Sequence, residues 1–131
     1  MTKLITVASG AFFLLYGLVF ALFPTEMSWL VTSASPQSSS GLIDLRATYG
    51  GMSIAVGLTI LILGQKQIHQ SLALLVTAIV LFSMAATRIL GIVVDRDPNW
   101  IMWLYLAGEL IVAAAALYCR HALPMDRNNH S

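Results

Sequence analysis

Residues 42–63 read LIDLRATYGGMSIAVGLTILIL, an apolar stretch with Asp44 and Arg46 set into its head and Tyr49, Gly50 and Gly51 following closely. A helix over this stretch rises ~1.5 Å per residue and reaches about 30 Å, the hydrocarbon thickness of a bilayer. Reading it as a membrane span that tolerates two charges decides the fold. The composition agrees: of 131 residues, 58% are hydrophobic and 10% charged, with a mean hydropathy of +0.81. Soluble domains carry roughly a quarter charged residues.

Three further apolar runs flank this one. Residues 4–23 hold no charge and end bluntly at Phe23-Pro24. A cleavable signal peptide has a shorter apolar core and a small-residue cleavage site, so this run is read as a mature helix. The third and fourth spans are placed at about 71–94 and 100–119. Residues 24–41 form the longest connection and read as a plain linker in preference to a gating lid, with Trp29 and Leu30 suited to the headgroup layer and Ser39 or Ser40 suited to capping the next helix. Residues 64–70 make a short polar turn holding Lys66 and His69. Asp95 to Asn99 make a tight one, in which Pro98 fits a helix restart. Pro124 onward reads as a short polar tail that frays.

Short connections make antiparallel neighbours, which predicts an all-α fold, a single four-span up-down-up-down bundle over residues 1–131. Lys3, Lys66, Arg120 and Arg127 fall on one side of that bundle and Arg96 alone on the other. The positive-inside rule then puts both termini in the cytoplasm, with the 24–41 connection and the 95–99 turn facing outward, to the periplasm of a bacterium. A net charge of +1 offers no field for nucleic acid. The single cysteine, Cys119, cannot make an internal disulfide and is expected to pack as a small apolar residue at a helix end.

Each ionised group at membrane depth costs about 2.5–3.5 kcal/mol on insertion scales unless it is paired or hydrated. Arg46, Arg88 and Glu109 lie within spans, and Asp44 lies at the rim. Because alternate spans run in opposite directions, all four are expected in the outer half of the bundle, where they can pair. Residues three, four and seven apart share a helix face. Arg46, Tyr49, Gly50, Ser53 and Gly57 therefore form one stripe, Met84, Arg88, Gly91 and Asp95 a second, and Tyr105, Glu109, Ala113 and Ala116 a third. The first span offers Ser9, Phe12, Phe13 and Tyr16. Asp44 and Arg46, two apart, point to different faces, which leaves Asp44 to cap its helix, reach Arg88 or meet solvent.

Two readings of this cluster follow. In one it is a buried network that fixes helix register, with Gly50, Gly57 and Gly64 giving close backbone contact. In the other, two arginines exceed one glutamate, and an outward-opening pocket binds an anionic or strongly polar head group backed by an apolar cavity. Arg46, Tyr49, Arg88, Glu109, Asp44 and Tyr105 are the candidate ligand-binding residues. The parts of an enzyme are lacking: no histidine lies within a span, and no cysteine beside a base, metal-ligand cluster or phosphate-cradling loop is present. No cofactor is expected. Tyr49, Asp44 and Glu109 would be the acid-base set if catalysis occurred, and the lack of an inverted repeat or broken helix argues against a transporter acting alone.

Asp44-Leu45-Arg46-Ala47-Thr48-Tyr49-Gly50-Gly51 with Gly57, then Thr87-Arg88-Ile89-Leu90-Gly91, then Glu109, resemble a bacterial family of four-helix inner-membrane proteins of unknown function over roughly residues 4–119. The resemblance implies the topology and orientation above and no particular activity. Arg46, Thr48, Tyr49 and Gly50 are also similar to a pattern in the eukaryotic ergosterol-biosynthesis scaffold proteins, from which this chain departs by Ala47. That similarity implies a tether for membrane enzymes. The expected function is thus binding of a membrane lipid or other amphipathic molecule. The alternative is an accessory subunit or scaffold, using a membrane-protein partner or a homo-oligomer contact along Ala113 to Ala116.

Overall fold

The computed structural model describes residues 1–123, and all its regular elements are helical. The tail from Pro124, with Arg127 and His130, lies outside the described residues. Four helical stretches are long and apolar enough to cross a membrane: Thr2–Leu22, Ser39–Gln65, Gln67–Asp95 and Trp100–His121. They match the four expected spans, with every end within a turn or so of its expected place.

Helix α1 (Thr2–Leu22) stops where Pro24 removes a backbone donor, and Phe23 leaves the helical region at φ −127°. The chain then restarts at once. Helix α2 (Pro24–Thr32) occupies half of the stretch expected to be a plain linker. Proline is favoured at the first helical position, Glu26 complements the positive end of the helix, and Pro24, Ser28 and Val31 bury one face at helical spacing. Ser33, left-handed at φ 58°, ends it, while the Ser28 hydroxyl donates to Ala34 O at 2.7 Å.

The second span is a continuous helix in three parts: α3 (Ser39–Leu45), a wide π-helical segment (Arg46–Gly51), and α4 (Met52–Gln65). Its cap is Ser38, whose Oγ accepts from Gly41 N at 3.1 Å, and not Ser39 or Ser40. Ser38 keeps an extended backbone, as a cap requires, while Ser39 and Ser40 are already helical. A 3-10 turn (Gln67–His69) leads into α5 (Gln70–Asp95). The tight turn that follows holds Arg96 and Asp97 at φ 50° and 88°. Asn99, rather than Pro98, restarts the chain: its side chain accepts from Met102 N at 3.1 Å and caps α6 (Trp100–His121).

Helices α1 and α4 pack antiparallel at very short range. A methyl group added to Gly57 would fall 2.5 Å from Leu14 N, and one added to Gly17 would fall 2.6 Å from Ile54 N. Only glycine lets the two backbones approach so closely. Helices α5 and α6 form the other antiparallel pair. Phe13, Ile60, Leu81 and Ala113 join all four spans in one core cluster, and Leu74, Ala78, Ala116 and Cys119 form a second between α5 and α6. Outside these, large apolar side chains such as Leu15, Ile62, Ile79 and Ile111 are exposed. A lipid environment requires that, and water would penalise it.

Candidate functional site

The charged residues of the spans divide into two groups. Deep between α5 and α6, Arg88 and Glu109 form the only ion pair among the described residues. Arg88 Nε donates to both carboxylate oxygens, at 3.2 and 3.1 Å, and Nη2 donates to Oε1 at 2.6 Å. This side-on, two-pronged contact is the strongest geometry available to an arginine and a carboxylate. The side chains are 16% and 7% exposed, so the pair is largely withdrawn from its surroundings. Arg88 Nη1 turns away and donates to the Met102 sulfur at 3.2 Å, a weak acceptor. The guanidinium carbon lies 5.2 Å from the centre of the Tyr105 ring, a cation-π contact. Met102, Tyr105 and Glu109 stand three and four residues apart on α6, so one face of that helix supplies every partner of Arg88.

Arg46 behaves differently. Its Nη1 donates to Ala21 O and, at 3.5 Å, to Leu22 O, the last carbonyls of α1. Pro24 and the break at Phe23 end the helical ladder at that point, so these carbonyls lack helical partners, and a guanidinium there both caps them and opposes the negative end of the helix. Arg46 is exposed and pairs with no acid among the described residues. Asp44 is exposed as well, and its Oδ1 accepts from the Thr48 hydroxyl at 3.4 Å rather than from Arg88.

Aromatic rings lie between the two groups. Tyr49 stacks on Phe20 at 5.2 Å, Phe20 meets Tyr16 at 5.0 Å, and Tyr16 meets Phe12 at 5.9 Å and Tyr105 at 6.5 Å. The six sequence candidates therefore fall along one path: Arg46 and Asp44 at the rim, Tyr49 next, and Tyr105, Arg88 and Glu109 inside. Sequence reasoning missed Met102, Phe20 and the α1 carbonyls. Met102 was within reach of helical spacing from Glu109, and Phe20 from Tyr16. The carbonyls carry no sequence signal.

Two surface clefts sit at the same end of the bundle. One is lined by Thr25, Glu26, Trp29, Leu30 and Ser35. The other is lined by Thr32, Ser33, Asp97, Pro98, Asn99 and Met102. Asn99 bridges its walls, donating from Nδ2 to Val31 O at 3.0 Å. Met102 forms part of this second cleft and also touches Arg88. Among the described residues no group of three or more potential ligands is placed to hold a metal ion.

No curated protein and no solved structure matches the chain. A family model does, over residues 1–119, and the chain belongs to that family, the domain of unknown function DUF4345.

Proposed function

We propose that this chain is a multi-pass protein of the bacterial inner membrane that binds a lipid-like or other amphipathic ligand through an anionic or strongly polar head. Its spans run up-down-up-down with both termini in the cytoplasm. The antiparallel packing of α1 with α4 and of α5 with α6 supports that course, and the excess of Lys and Arg at one end supports its direction.

The observation that carries the reading is the contrast between the two arginines. Arg88 is neutralised by Glu109, whereas Arg46 keeps its charge at the rim with only carbonyl dipoles for company. A cation at the end of an apolar span, beside Tyr49 and a row of aromatic rings, suits a polar head followed by an apolar tail. Glu109 holds Arg88 in place, Tyr105 faces the pair, and Asp44, exposed, accepts from the Thr48 hydroxyl. Gentle extraction from the native membrane followed by intact-complex mass spectrometry tests this. A stoichiometric amphiphile is expected, lost on Arg46→Ala or on Arg88→Ala while the chain stays folded. Retention unchanged in both variants rules the reading out.

A second reading, an accessory subunit or scaffold, is favoured by the outer face of α6. Ala113 and Ala116 belong to the core, but Ala107, Gly108 and Ala114 are exposed, and a methyl group at Gly108 would meet nothing within 4 Å. Small residues on a lipid-facing helix suit close approach of another helix, from a partner or a second copy. The similarity of Arg46, Thr48, Tyr49 and Gly50 to the ergosterol-biosynthesis scaffolds points the same way. Ala114→Leu is then expected to release a co-purifying chain without disturbing the Arg88–Glu109 pair.

A further inference from the structure

Resting on the ligand-binding reading above, we infer that the ligand is an anionic glycerophospholipid, its phosphodiester on the free edge of the Arg46 guanidinium and an acyl chain over Tyr49, Tyr16 and Phe12, with the Phe20 ring buried beneath them. Four observations lead there. Both bonds that Arg46 makes to the protein leave from Nη1. They fix the plane of the guanidinium and leave the Nε and Nη2 donors side by side, the edge that Arg88 uses on Glu109. Two parallel N–H groups of that spacing match two oxygens of a phosphate, and holding the group in advance lowers the entropy lost on binding.

Depth is the second. Arg46 reaches the final carbonyls of α1, a 21-residue helix. At ~1.5 Å per residue that helix spans the hydrocarbon once, so its end lies at the level where lipid phosphates sit. Third, with no acid paired to it, Arg46 offers a net positive charge to that layer. The fourth is the order of groups below it. Tyr49 and Tyr16 pack against the buried Phe20 ring, neither hydroxyl has a hydrogen-bond partner among the described residues, and Tyr16 stands one turn of α1 deeper than Phe20. Beyond Tyr16 comes Phe12, exposed and without a polar atom. A glycerophospholipid presents its acceptors in that sequence: phosphate oxygens, then ester carbonyls, then bare chain. The closed Arg88–Glu109 pair leaves no free charge deeper down for a second ionised group.

The test uses the full chain, delipidated in detergent and supplied with three probes: dioleoyl phosphatidylglycerol, dioleoylglycerol with the same tails and no phosphate, and glycerol phosphate with no tails. Bound molecules are counted by native mass spectrometry. One phosphatidylglycerol per chain is expected, with the other two probes not retained. Arg46→Lys keeps the charge and removes the fork, and affinity should fall about tenfold. Tyr49→Phe keeps the ring stack and should weaken binding about threefold with unchanged thermal melting, so the result does not depend on Arg46 variants folding well. Equal retention of dioleoylglycerol, equal binding of glycerol phosphate, or wild-type affinity in both variants overturns the inference. If a native amphiphile is lost on Arg88→Ala but held by Arg46→Lys, the lipid placement falls and the broader ligand-binding reading stands. If the native membrane yields no bound amphiphile at all, both fall.

Discussion

At the scale of single residues, the spans solve the same problem, a cation beside hydrocarbon, in two ways. Arg88 is satisfied by a carboxylate, a thioether and an aromatic face, all from α6. Arg46 is satisfied by main-chain carbonyls that a proline break exposes. The first solution is closed. Removing one member of a buried pair strands the other charge and costs about 3–5 kcal/mol, whereas replacing both with apolar side chains is close to neutral. Arg88→Leu and Glu109→Leu are therefore each expected to lower the melting temperature in detergent markedly, and the double variant less than either. Additive losses would show that the pair does not act as a unit. The second solution is open: Arg46 contributes to the end of α1 about 1 kcal/mol as a helix-end cation and still has donors to offer.

At the scale of elements, the second span does the most to shape the site. Its lower part, α4, lies against α1 at glycine distance, while its upper part widens into the π-helical segment that carries Arg46 and Tyr49. Such widened turns recur at functional sites, because the extra residue redirects the side chains around it. Of the expected stripe, Arg46, Tyr49, Gly50 and Gly57 face α1, with both glycines buried there, Tyr49 stacked on Phe20 and Arg46 reaching over the end of that helix. Gly57→Ala is expected to force α1 and α4 apart and to cost about 1–3 kcal/mol by overpacking. Gly108→Ala, in open space on α6, should be neutral or slightly stabilising, since alanine favours the helix. Thermal melts of the two variants side by side check both; equal melting would mean the close approach at Gly57 carries no strain.

At the scale of the whole molecule, one end carries α2, both clefts, Arg46 and the 96–99 turn, while the opposite end is short and basic, with Lys3, Lys66 and Arg120. The orientation proposed above makes a direct prediction. In a Cys119→Ala background, Gln37→Cys and Asp97→Cys should react in intact spheroplasts with a membrane-impermeant thiol reagent, and Lys66→Cys should react only after lysis. The reverse pattern would turn the protein over and place the rim in the cytoplasm.

The sequence alone determined four helices long and apolar enough to cross a membrane, with their approximate ends, because a long apolar run has few ways to satisfy its backbone in lipid. It also put Arg88 and Glu109 in one expected network with Arg46, since buried charges of opposite sign have a strong reason to pair, but left open which of them would meet. Pro24 at a helix start and the spacing of Pro24, Ser28 and Val31 were legible too, although an apolar-run reading treats the proline only as a stop. Tertiary structure alone decided the fate of Arg46. Charge counting sends it toward Glu109; packing sends it to carbonyls that exist only because α1 ends where the second span passes. Main-chain acceptors are the same in every residue and leave no mark in a sequence. The partner of a side chain can be read ahead when it is another side chain, and only from the fold when it is the backbone.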